Sequence, residues 1–133
     1  MKLISRNTDY AVRAVCYIAG KDGVVTVTEL VKALKIPRPF LRNILQALGR
    51  KNILKSSKGS GGGFRLARRP GKINLIELIE AFQGPFKLNE CFFKRELCPN
   101  RKSCCLKKKI DAIGDKVYSV LKNITMASIL KGE

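Results

Sequence analysis

At 133 residues with 45% apolar content, the chain has room for one domain and can bury a core without disulfide staples. Lysine and arginine number 27 against 10 acidic residues, and the formal charge of +17 calls for a polyanionic partner, nucleic acid first and a membrane surface second. The bias is local: between Leu30 and Ile76 stand twelve basic residues, Lys55, Arg65 and Arg68 among them, and no acid. A merely solvated surface mixes its signs, so this run is read as a phosphate-binding face.

The opening MKLISRNTDYAVRAVCYIAG has a basic start and an apolar continuation. Asp9 and Arg13 interrupt the apolar run and no small-residue cleavage site follows, so no export is expected. Nothing approaches the about 18 uninterrupted apolar residues of a membrane span. The expected location is cytoplasmic, where clustered cysteines favour metal or redox chemistry over structural bridges.

Residues 8 to 19 predict a helix with Ala11, Val12, Val15, Tyr17 and Ile18 on its apolar side and Gly20 at its end. Cys16 within it is expected to be a buried small hydrophobe. Thr26 and Glu29 form a capping box that opens a short helix to Leu34, and Lys35-Ile36-Pro37 breaks it. A further helix starts near Arg38 or Pro39 and runs to Lys51. Its spacing turns Phe40, Leu41, Ile44, Leu45 and Leu48 inward and leaves Arg38, Arg42, Asn43, Gln46 and Arg50 outward. Two short helices around a tight break, the second carrying long polar side chains, suit a helix-turn-helix whose second helix enters the major groove.

Two extended segments follow, 53 to 57 and 63 to 67, joined by Gly59-Ser60-Gly61-Gly62. This is no Walker loop, which needs Gly-Lys-Ser/Thr and then a helix. It predicts a basic β-hairpin wing whose Lys58, Ser60 and Arg65 reach the minor groove or a phosphate. The run KINLIELIEAFQG is an amphipathic helix, capped by Asn74, that packs back on the first helix. Near the end, Leu106, Ile110, Ile113, Val117, Val120, Ile124 and Ala127 recur at heptad spacing. Such a helix either lies on the core or pairs with a second copy, and pairing suits twin recognition helices reading two half-sites.

Four of the five cysteines lie in CFFKRELCPNRKSCC, with Cys91, Cys98 and Cys104 spaced C-x6-C-x5-C and Cys105 adjacent. Zinc sites prefer paired C-x2–4-C knuckles, which are missing here. Eight basic residues between Lys87 and Lys109 lower thiol pKa and offset the charge of thiolate ligands, or extend the nucleic-acid surface.

IPRPFLRNIL, the KGSGGGFRLARRP wing, INLIELIEAFQG and the three-cysteine loop together resemble the bacterial winged-helix regulator family that includes IscR, NsrR and the cysteine-metabolism regulator CymR. The resemblance runs over nearly the whole chain. It implies a mainly α fold, a winged helix-turn-helix with a small two-stranded β wing and a long C-terminal dimerisation helix. Residues 1–84 are then the DNA-binding unit, 85–105 the cysteine loop and 106–133 the dimerisation helix and tail. The implied function is a homodimeric transcription regulator, expected to be a repressor, that binds double-stranded DNA under control of a 2Fe-2S cluster sensing nitric oxide, redox state or iron–sulfur supply.

The resemblance also implies Cys91, Cys98 and Cys104 as cluster ligands. A fourth is needed, and a chain without histidine excludes the histidine used by some relatives. Asp9, matching the aspartate that completes the cluster from the other subunit in some members, is the first candidate; Cys105 is the second and Glu90 the third. Where relatives often carry arginine, tyrosine and an acid, this chain has Lys58, Phe64 and Arg42. Lysine keeps the charge but loses the bidentate fork, and Arg42 can bond guanine O6 and N7. A cluster-free regulator answering to a partner protein, small molecule or thiol oxidation is the alternative. An enzyme is not expected, since C-x-x-C, a substrate-pocket motif and histidine are all missing.

Overall fold

A computed structural model describes residues 3–87 and 105–132. Six helices, α1 (Arg6–Ala19), α2 (Val27–Leu34), α3 (Arg38–Arg50), α4 (Leu75–Gln83), α5 (Cys105–Asn123) and α6 (Met126–Lys131), accompany a hairpin of β1 (Leu54–Ser57) and β2 (Gly63–Leu66). The fold is the expected mainly helical winged helix-turn-helix. No helix among the described residues is long and apolar enough to cross a membrane.

Local chemistry sets most boundaries. Ser5 caps α1, its Oγ accepting from the Thr8 N–H at 3.2 Å. Thr26 caps α2 by accepting from the Glu29 N–H at 3.1 Å. The expected reciprocal bond from Glu29 is replaced: its carboxylate accepts from Tyr17 Oη on α1 at 2.9 Å and ties the first two helices together. At the start of α4 the box is formed, with the Asn74 N–H donating to Glu77 Oε2 at 3.0 Å.

The core lies between α1, α3 and α4. Ala11, Ala14, Val15 and Ile18 of α1 meet Leu41, Ile44, Leu45 and Leu48 of α3 and Leu75, Ile76, Leu78 and Ile79 of α4, all buried. The heptad pattern at the end of the chain does not continue as one helix. It breaks after Asn123, where residues 124–126 run antiparallel to residues 73–75. The Leu75 N–H donates to the Ile124 carbonyl at 2.8 Å and the Met126 N–H to the Ile73 carbonyl at 2.9 Å. Thr125 then caps α6, and Leu121 and Met126 are buried in the common core. Leu106, Ile113 and Val120 of α5 stay exposed.

The wing is seated by a third short strand position. Val25 and Phe64 exchange two backbone bonds, each 2.8 Å, so β2 is held on one side by β1 and on the other by the residue leading into α2. Such close contact requires glycine next door: a Cβ on Gly63 would stand 2.4 Å from the Val25 carbonyl oxygen. Gly63→Ala should therefore cost about 1–3 kcal/mol and lower Tm by about 5–15 °C. Gly71→Ala, where a Cβ meets nothing within 4 Å, should leave the melting curve unchanged.

Candidate nucleic-acid interface

α2 ends at Lys35, whose backbone is left-handed (φ 56°), and Ile36 is buried under the turn. Pro37 precedes the first turn of α3, and neither a side-chain cap nor an acid occupies that turn. The positive end of the helix dipole is therefore not neutralised locally, as suits a helix that approaches phosphates.

Burial of Leu41, Ile44, Leu45 and Leu48 turns the opposite side of α3 to solvent, and Arg38, Arg42, Asn43, Gln46 and Arg50 are all exposed there. Arg38 is held at its guanidinium, with Nη2 donating to Thr28 Oγ1 on α2 at 3.0 Å. Phe40 departs from expectation. It stands at the rim of the apolar stripe and remains 53% exposed, and none of the described elements buries that side of the helix start.

In the hairpin, Leu54 pairs with Leu66, Lys55 with Arg65, Ser56 with Phe64 and Ser57 with Gly63. Directly opposed residues share a face and the face alternates along a strand. Leu54, Leu66 and Phe64 therefore turn to the core, and Lys55 and Arg65 turn out together, both exposed. Like charges opposite one another destabilise a ladder, and neither has an acidic partner among the described residues. Lys58 and Ser60 are exposed at the tip. Lys55 belongs to the basic run expected to face phosphates, and its place next to buried Leu54 on an alternating strand puts it on the outer face of the wing, a position the expected wing contacts Lys58, Ser60 and Arg65 did not include.

One cation in the basic run serves the fold. Arg68 donates through Nε to the Asn52 carbonyl at 3.3 Å, and through Nη1 to the Lys72 carbonyl at 3.2 Å and to Glu77 Oε1 at 3.0 Å. It joins the end of the recognition helix, the exit of the wing and the start of α4. Among the described residues it is the one member of the basic run between Leu30 and Ile76 with an acidic partner.

Of the residues expected to hold a cluster, Cys91, Cys98, Cys104 and Glu90 lie outside the described residues. Asp9 sits in the first turn of α1, with Oδ2 3.1 Å from Arg13 Nε and its side chain 48% exposed. Gln83 at the end of α4 clamps the turn that carries it: Gln83 Oε1 accepts from the Ser5 N–H and from Thr8 Oγ1, both at 2.8 Å. Cys105 is exposed at the first position of α5. Cys16 is only partly buried, contrary to expectation, because it lies at the side of α1 between buried Val15 and exposed Arg13; even so, burial pushes its thiol pKa up.

The two kinds of basic residue should separate in solution. Lys55→Ala is expected to weaken duplex binding uniformly across sequences and to reduce the salt slope by about one. Arg68→Ala should leave that slope unchanged and cost about 1–3 kcal/mol of stability, read from thermal melts.

Residues 4–132 match the Rrf2 family, described as "Iron-dependent Transcriptional regulator". A chain of Aquifex aeolicus assigned as an HTH-type transcriptional regulator is 31% identical over 98% of this chain and 93% of its own length. The HTH-type transcriptional regulator NsrR of Oceanobacillus iheyensis is 27% identical over 98% of this chain and 90% of its own. The solved structure of CymR, the global cysteine regulator of B. subtilis, superposes with a TM-score of 0.79 at 22% identity, covering 100% of this chain and 99% of that one. The chain belongs to the Rrf2 family, whose members are DNA-binding, dimeric transcriptional regulators and not enzymes.

Proposed function

We propose that this chain is a cytoplasmic homodimeric repressor whose operator binding is set by a 2Fe-2S cluster. The observation that carries the DNA-binding part is the unpaired basic face formed by α3 and the wing. Arg42, Asn43, Gln46 and Arg50 project from one side of a helix whose opposite side buries Leu41, Ile44, Leu45 and Leu48, and Lys55, Lys58 and Arg65 flank it on the hairpin. In this reading Arg42 and Asn43 read base edges, and Arg38, Arg50, Lys58, Ser60 and Arg65 hold phosphates. The exposed apolar residues Leu106, Ile113 and Val120 of α5 suit pairing with a second copy.

The donor set fits the cluster. Cys91, Cys98 and Cys104 offer three thiolates in a strongly basic segment. Asp9 offers a half-exposed carboxylate held by one exposed ion pair within its own helix, a contact worth about 0.3–0.5 kcal/mol that gives way readily. Asp9 of the partner subunit would complete the four ligands, with Cys105 as the alternative. When bound, the cluster supplies a centre sensitive to nitric oxide, oxygen and iron–sulfur supply. A carboxylate among thiolates suits soft iron poorly and makes such a centre easy to lose. The family's description as iron-dependent supports this reading. The likeness to CymR over the full chain favours a second one, in which the same DNA-binding head answers to a partner protein, small molecule or thiol oxidation without a cluster.

Anaerobic purification with iron and sulfide counts separates the two. Two irons and two sulfides per chain, with visible charge-transfer absorption, are expected. Cys98→Ala should lose them, Cys16→Ala should retain them, and Asp9→Ala should lose them faster than the parent chain in air. A colourless protein that refuses reconstitution would favour the cluster-free regulator.

A further inference from the structure

We infer that Phe40 is a specificity residue that reads the C5-methyl group of a thymine in the operator. The inference rests on the DNA-binding reading and names a base contact within it. Phe40 is the most exposed large apolar residue in the segment 3–87; the others, Leu3 and Ile4, lie outside the helix-turn-helix. Burial of a ring of this size removes about 150–250 Å² from water, so leaving half of it out forgoes a stabilisation of the order of a core methyl group or more.

Its placement accounts for that. With about 100° between successive residues on a helix, Phe40 falls on the same edge as Asn43, three positions on, and one position before buried Leu41. It sits in the first turn of α3, and residues at the start of a recognition helix are the ones that reach base edges. Asn43 neighbours it on the helix surface, and Arg38 and Arg42, two positions to either side, stand across the helix; all three are exposed and none has an acidic partner among the described residues. The edge that carries Phe40 follows Asn43 toward the floor of the major groove. There the thymine methyl is the one apolar feature that distinguishes a base pair. Asparagine serves adenine in the same groove, so Phe40 and Asn43 on one edge discriminate by complementary chemistry.

The test uses the full-length protein, purified anaerobically, and a duplex recovered by selection from a random pool. Each thymine of one half-site is replaced in turn by deoxyuridine, which lacks only the methyl group. The parent chain should lose about fourfold in affinity at one thymine, the effect of withdrawing one buried methyl, and little at the others. Phe40→Ala should bind thymine and uracil duplexes equally at that position, and Phe40→Leu should keep part of the preference. Because half of Phe40 is exposed, both variants should stay folded, with Phe40→Leu melting closest to the parent. Equal binding of all uracil duplexes by the parent chain would overturn the inference, as would a thymine preference that survives in Phe40→Ala. Failure to select any duplex would overturn the DNA-binding reading and the inference with it.

Discussion

Burial of one side of α3 is the constraint on which the molecule turns. Leu41, Ile44, Leu45 and Leu48 are each at most 2% exposed, and a rigid helix that buries four such side chains has no freedom left about its own axis. The directions of Arg42, Asn43, Gln46 and Arg50 follow from that. The apolar bed supplied by α1 and α4 thus does two things: it stabilises the domain, and it aims polar groups on a surface it never touches. It must also outweigh the mutual repulsion of a run of cations, a cost that salt screens and a polyanion removes.

The wing is held to the same frame by means that do not use its charges. Two backbone bonds between Val25 and Phe64 fix β2 beside the entry to α2. Phe64 and Leu66 pack on the core, and Arg68 closes the exit against Asn52, Lys72 and Glu77. With those anchors in place, Lys55 and Arg65 can stand opposed on the outer face although each repels the other.

The end of α4 is joined to both α1 and α5. Gln83 closes α4 against Ser5 and Thr8, so the turn bearing Asp9 and the point where the chain leaves for the cysteine segment form one hydrogen-bonded unit. Phe86, just beyond, has its N–H on Glu80 and its ring against Tyr118 of α5. The end of α4 and the residues just after it are therefore tied to both α1 and α5.

What the sequence by itself determined is what depends on neighbours along the chain. Caps at Thr26 and Asn74, the break at Lys35-Ile36-Pro37, the glycine-joined hairpin and the outward row of α3 are products of local hydrogen bonding, backbone sterics and helical period, and each is readable within a few residues. The tertiary structure decided the rest, because those outcomes depend on what lies across space. Periodicity cannot tell the covered rim of an apolar stripe from the bare one, so Phe40 read as core until the packing left it outside. A count of charges cannot tell which cation finds an acid, so Arg68 read as part of the phosphate face until Glu77 and two carbonyls came to meet it. A heptad pattern does not reveal that residues 73–75 will capture the backbone at Ile124 and end the helix. Period and capping are properties of a segment, whereas burial and charge partnership belong to pairs of segments and exist only once the chain has folded.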